Sequence, residues 1–192
     1  MKRYFTLLPF IAVGMLLLGA SSTAQYRVGS HTLGINATVV TEPVGWGVNY
    51  EFGFDEHIGL GGVIRYWGSE RGPFPIGSQT RVVINRSVIM SMFQASYHFL
   101  PKERFDPYGG LRLGYTVFDE TAEIIEGFSP YTEPKELPES GISMSLMTGF
   151  RYFLSPKISI DGTLEYFLVN DEAYFDNDSD TGLMFSVNFT LD

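Results

Sequence analysis

The chain has 192 residues, with 13 Lys+Arg against 22 Asp+Glu, a formal net charge of −9, 15% aromatic residues and no cysteine. That length suits one domain, and the aromatic share is too high for a disordered chain. The absence of cysteine excludes a disulfide scaffold, a Cys-ligated zinc site, an iron–sulfur cluster and a thiol nucleophile, and an acidic balance offers no basic patch to nucleic acid.

Residues 1–24 read as a secretory signal. Lys2 and Arg3 form its positive start, Leu7 to Leu18 its apolar core, and Ser22-Thr23-Ala24 a small-residue cleavage site before Gln25. A transmembrane helix would need about 20 apolar residues, more than this core supplies. Without Lys2 and Arg3 the remaining chain holds 11 Lys+Arg against 22 acids, a balance of −11.

Residues 25–192 are then one domain built on a two-residue period, the mark of strands with two unlike faces. Near 30–40, Leu33, Ile35, Ala37 and Val39 oppose Gly34, Asn36 and Thr38. From Val44 to Phe54, Val44, Trp46, Val48, Tyr50 and Phe52 oppose Gly45, Gly47, Asn49 and Glu51. The alternation returns at 57–67, 87–99, 108–118, 142–154, 157–169 and 182–191, which makes eight strands. Met90, Met92, Met147, Val63 and Trp67 break the pattern, because they fall on the polar face. Short turns are expected at 54–57, Leu100 to Asp106 and 155–157. Longer loops are expected at Gly68 to Asn85, Asp119 to Ser140 and Asp171 to Thr181.

A lipocalin-like soluble barrel that binds a small apolar ligand has the same period, but its apolar face lines a cavity. Three features favour an apolar face turned to lipid. The polar face is rich in Gly and Ser, and its six charges, Glu51, Asp161, Glu165, Arg65, Arg112 and Arg151, balance three against three; a narrow interior permits only matched charge. Aromatics on the apolar face gather towards strand ends, with Phe52, Phe54, Tyr97, Phe99, Tyr108 and Tyr152 near the short turns. Strands of about 11 residues at a tilt of about 40° span roughly the hydrocarbon thickness. The expected fold is an all-β, eight-stranded antiparallel up-and-down transmembrane β-barrel.

The run Asp106-Pro107-Tyr108-Gly109-Gly110-Leu111-Arg112-Leu113-Gly114-Tyr115 resembles the "PY-x-G-x-x-x-G-Y" strand of small outer-membrane β-barrel proteins, the OmpX-like, opacity-like and OmpA-barrel group. The resemblance implies a bacterial outer-membrane location, with outer-membrane lipids, lipopolysaccharide and the barrel assembly machinery as partners. Family members usually end on an aromatic residue, whereas here Phe189 lies three places before the end.

The charge is concentrated in two stretches. Asp119 to Ser140 holds seven acids and one base, and Asp171 to Thr181 holds five acids and no base. These are solvated outer loops, or a surface for divalent cations or an extracellular protein. Asp176, Asp178 and Asp180 resemble the opening of a calcium loop, but Thr181 stands where the motif needs Gly. The reading "lipid A-modifying enzyme" rests on Ser96 and His98, which share a face two residues apart at the periplasmic end. His31 and His57 map to that same end. No cofactor and no catalytic residue are assigned. The expectation is a structural or surface-interaction protein with a side-chain-filled interior.

Overall fold

The computed structural model describes residues 26–39, 44–76, 80–126, 140–169 and 181–191. The predicted signal and the acidic stretch from Asp171 to Asp180, with Asp176, Asp178 and Asp180, lie outside these residues. Eight strands follow in order: β1 (His31–Val39), β2 (Gly45–Gly53), β3 (Ile58–Ile76), β4 (Thr80–His98), β5 (Phe105–Glu126), β6 (Gly141–Ser155), β7 (Ile158–Val169) and β8 (Thr181–Leu191). Each pairs antiparallel with its sequence neighbours, and β1 pairs with β8 to close the barrel. Closure leaves no free edge along the paired stretch, which is what a sheet in hydrocarbon requires.

The registers fix the dimensions. From Asn36 the rung passes through Gly47, Arg65 and Met90 to Thr116 on β5. In the other direction it passes through Ser186, Asp161 and Arg151 to Asp106 on the same strand. Thr116 and Asp106 are ten residues apart, so the shear is about 10 for eight strands, which gives a tilt of about 41° and a backbone radius of about 8 Å. A cylinder that narrow is filled by side chains.

The two faces divide as the period predicts. Leu33, Val48, Leu113 and Val187 are exposed, while Asn49, Glu51, Arg112 and Asn188 are buried. An interior cavity lined by the apolar face, as in a lipocalin, is therefore not this molecule. Two placements correct the sequence reading. Tyr108 points inward and is buried, because it has the strand parity of Gly110 and Arg112, which outweighs its aromatic character. The stretch expected as a loop from Gly68 to Asn85 is largely strand, as is Asp119 to Glu126. The β3–β4 ladder continues from Trp67↔Val88 to Ile76↔Thr80, and the β4–β5 ladder runs to Arg81↔Glu126. Cross-strand hydrogen bonding holds these residues extended where apolar alternation has faded. The expected turn from Leu100 to Asp106 is likewise shorter, because β5 begins at Phe105.

The short-turn end is also where the segment before β1 returns to the barrel. Gly29 takes a φ of +79°, a left-handed turn that a side chain disfavours. Its N–H donates to Gly53 O at 2.7 Å, and Tyr26 N donates to Pro101 O at 2.9 Å.

Candidate functional site

The inward positions build one connected polar network. Near the short turns Arg151 is its hub. Arg151 NH1 donates to Glu51 Oε1 at 2.6 Å, and NH2 donates to Asp161 Oδ2 at 2.9 Å. The rung pairing of Arg151 with Asp161 sets the second contact, whereas Glu51 reaches Arg151 across the lumen. Glu51 also accepts from Ser96 Oγ at 2.8 Å and from Gln94 Nε2 at 3.3 Å. Room for this carboxylate comes from Gly59, where a Cβ would lie 2.8 Å from Glu51 and 2.5 Å from Ser96 Oγ.

Farther from the short turns, Glu165 takes the complementary role. Its Oε2 accepts from Arg65 NH2 and from Arg112 NH1, each at 2.7 Å, and its Oε1 accepts from Ser145 Oγ at 2.5 Å. Gln94 joins the two clusters, because its Oε1 accepts from Arg112 Nε at 3.0 Å while its amide serves Glu51. Burying one such ion without a partner costs several kcal/mol, so the pairing is a condition of folding. The structure thus brings Glu51, Arg65, Arg112, Arg151, Asp161 and Glu165 into one network.

Sequence reasoning missed several members. Asp106, assigned to a turn, lies 2.5 Å from His98 Nδ1 through its Oδ2. Tyr108 bonds Thr163 Oγ1 at 2.6 Å. Both have the inward parity of Arg112, a signal already present in the strand. Tyr26 left no signal, because it precedes every strand. It donates its hydroxyl to Ile58 O at 2.7 Å and stacks on His98 with ring centroids 4.0 Å apart. Burial, with Glu51 as the next contribution, pushes its phenol above the ordinary range.

Ser96, His98 and Asp106 form a nucleophile–base–acid sequence of side chains, with Ser96 Oγ 3.4 Å from His98 Nε2. Three features stand against chemistry there. Ser96 donates to Glu51 instead, all three residues are buried, and Tyr26 covers the imidazole. His31 and His57 lie elsewhere on the rim. His31 Nδ1 is 2.7 Å from Tyr50 Oη, and His57 Nδ1 is 2.7 Å from His98 O.

The network is enclosed at both ends. Tyr26 packs with Phe153 beneath it. Around and beyond the Arg65–Glu165 pair, Val63, Trp67, Val88, Met90, Met92, Phe167 and Met184 form an apolar cluster, with Met184 Sδ 3.5 Å from Arg65 NH2. These include four of the five residues that break the sequence alternation, and Met147 is buried as well.

No curated protein sequence matches this chain at a significant level. Among solved structures, the outer membrane protein OprG from Pseudomonas aeruginosa superposes with a TM-score of 0.59 at 13% identity, covering 87% of this chain and 98% of that one. The N-terminal β-barrel domain of Pseudomonas aeruginosa OprF does so with a TM-score of 0.55 at 10% identity, covering 85% and 98%. At such identities the likeness is one of fold. The family model for the outer membrane protein beta-barrel domain matches residues 6–190. The chain belongs to that family, and its place is the bacterial outer membrane.

Proposed function

We propose that this barrel is a closed membrane anchor that presents a β-sheet at the cell surface for interaction with a partner. One observation carries the reading. Pairing of β2 with β3 ends at Trp46↔Tyr66, and pairing of β5 with β6 ends at Thr116↔Gly141. The β3–β4–β5 ladders run on past both, to Ile76 and Glu126. At about 3.3 Å per residue this carries three strands some 25 Å beyond the low walls after allowing for tilt. Among the described residues, the projecting sheet has two edges that the rest of the barrel does not pair, and unpaired edges are templates for strand addition by another chain.

The short turns then lie in the periplasm and the long strands outside. Asp119, Glu120, Glu123 and Glu126 fall on the projecting part of β5, with Arg81 and Arg86 on the neighbouring β4, so the acid is concentrated on the β5 edge strand, suited to a basic partner or to divalent cations bridging to lipopolysaccharide. The ion-pair network is a structural filling that excludes ions, not a conduction path, and Ser96, His98 and Asp106 belong to that filling.

Two measurements test the reading. Planar-bilayer recording of the purified protein should show no steady conductance. An Asn85→Cys variant, at an exposed position on the projecting part of β4 in a chain otherwise free of cysteine, should react with an impermeant maleimide on intact cells. Steady ionic current, or labelling only after the cells are opened, would overturn it.

A further inference from the structure

With Asp106 inside the barrel, the interior guanidiniums no longer match the interior carboxylates. Among the described residues, four carboxylates are buried, Glu51, Asp106, Asp161 and Glu165, against three guanidiniums, Arg65, Arg112 and Arg151. One negative charge is left over. A net charge sealed from water is costly, so the interior requires one more cation. The remaining buried base is His98, at the end of β4, with no exposed surface.

Each ring nitrogen of His98 faces acceptors only. Nδ1 lies 2.5 Å from Asp106 Oδ2, and the other oxygen of that carboxylate accepts from Leu100 N at 3.2 Å. Nε2 lies 3.5 Å from Glu51 Oε1 and 3.4 Å from Ser96 Oγ. The Ser96 hydroxyl has a single hydrogen and donates it to Glu51 Oε2 at 2.8 Å. Towards Nε2, Ser96 can then only accept. A neutral imidazole has one bare nitrogen, and neither position offers that nitrogen a donor. An imidazolium, with a hydrogen on both nitrogens, satisfies the whole arrangement. The proton belongs to the ring and not to Asp106, because imidazole is the stronger base.

The same ring holds the segment ahead of β1. Tyr26 lies flat on His98, with ring centroids 4.0 Å apart and planes 18° apart, and an aromatic face attracts a cation. Tyr108 borders the ring from β5 at 5.7 Å, and Arg151 is bonded to the Glu51 oxygen that faces Nε2. The other bonds of Tyr26 run to the backbone, from its hydroxyl to Ile58 O and from its N–H to Pro101 O. Arg27, next in the chain, is exposed in a turn closed by Ser30 N donating to Arg27 O at 3.2 Å.

We propose that His98 is held as an imidazolium, the fourth cation of the interior, and that it latches Tyr26 and the strap ahead of β1 over the short-turn end of the barrel. The buried charges then stand at four against four. With the strap seated, Glu51 and Asp106 are closed off from water at that end. Ser96, His98 and Asp106 act as a fastening and not as a catalytic sequence. The inference goes beyond the anchoring role, since a membrane anchor can have this end open or strapped.

The charge is tested by nitrogen-15 NMR of the unaltered protein, purified from membranes into detergent micelles near neutral pH, with His98 assigned through its cross-peaks to the Tyr26 ring. Both ring nitrogens of His98 should carry hydrogen; one bare nitrogen would overturn the assignment. The latch is tested by limited trypsin digestion in the same micelles, read by mass spectrometry as a barrel that begins at Val28. His98→Gln leaves the buried acids one cation short, and cutting after Arg27 should be at least about tenfold faster than in the unaltered protein, because cleavage follows the opened population. His98→Gln combined with Asp106→Asn restores the count and should recover most of the resistance, and the remote Ser143→Ala should be cut no faster. The shift of gel mobility on boiling reports folding. If His98→Gln does not fold, Tyr26→Leu decides, because it removes the stacked ring and leaves the interior charge intact; the same acceleration is expected. Equal cutting in the unaltered and variant proteins, or a double variant cut as fast as the single one, would overturn the latch.

Discussion

From Tyr26 to Arg65 the lumen is held together by charge, with Glu51, Asp161 and Glu165 each facing a guanidinium. Around and beyond Arg65 it is held largely by apolar side chains, among them Val63, Trp67, Met90, Met92 and Met184. Both regions fill the same cylinder, but they fail differently. A charged layer depends on every partner being present, since deleting one leaves an ion without compensation in a medium that cannot solvate it. A methionine-rich layer adapts, because the unbranched thioether fits irregular gaps and a deletion leaves a cavity instead of a charge.

The largest expected effect is therefore in the charged layer. Glu165→Gln leaves Arg65 and Arg112 facing each other without their shared carboxylate, and should cost about 4 kcal/mol in urea unfolding. Replacing all three together, as Arg65→Met, Arg112→Met and Glu165→Leu, should recover most of that loss, because an apolar filling needs no counter-charge. A triple variant as unstable as the single one would show that the network supplies more than compensation. Next comes the apolar layer, where Met90→Ala should cost about 2–3 kcal/mol without admitting ions in planar-bilayer recording.

A smaller effect belongs to the lid on the charged layer. The Tyr26 phenol is held above its ordinary range by burial. Its contribution is then fully present below the usual phenol range, about pH 10, and is lost as pH rises beyond it. The unfolding temperature of the natural protein should fall more steeply above that pH than that of Tyr26→Phe; parallel curves would contradict the seating described. The smallest effect is on the rim. The Lys102 ammonium lowers the exposed Glu56 carboxyl, so Lys102→Met should raise that group towards its ordinary range in an NMR titration. The unfolding midpoint should not move, since exposed pairs contribute little.

Much of this was legible in the residues. The two-residue period marks all eight strands and sorts Val48 from Asn49 and Leu113 from Arg112, because a strand turns successive side chains to opposite faces. The same parity carries Met90, Met92 and Trp67 inward, although apolar residues on a polar face read as faults until the lumen is seen to have an apolar layer. Three things were not legible. Which carboxylate meets which guanidinium depends on the shear, a property of closure and not of any one strand. The length of β3, β4 and β5 depends on cross-strand pairing beyond the apolar alternation. Tyr26 is placed by a return of the chain that has no period at all.

The central claim is the orientation of the wall: apolar side chains outward to hydrocarbon, charged ones sealed inside. Because the chain has no cysteine, single nitroxide labels at Val48, Leu113 and Val187 can be compared with labels at Asn49 and Asn188 in reconstituted vesicles. Power-saturation measurements should find the first three relaxed by oxygen dissolved in the bilayer, and the last two shielded from both oxygen and a water-soluble nickel chelate. Nickel access at Leu113 and Val187 with no oxygen enhancement would contradict the account.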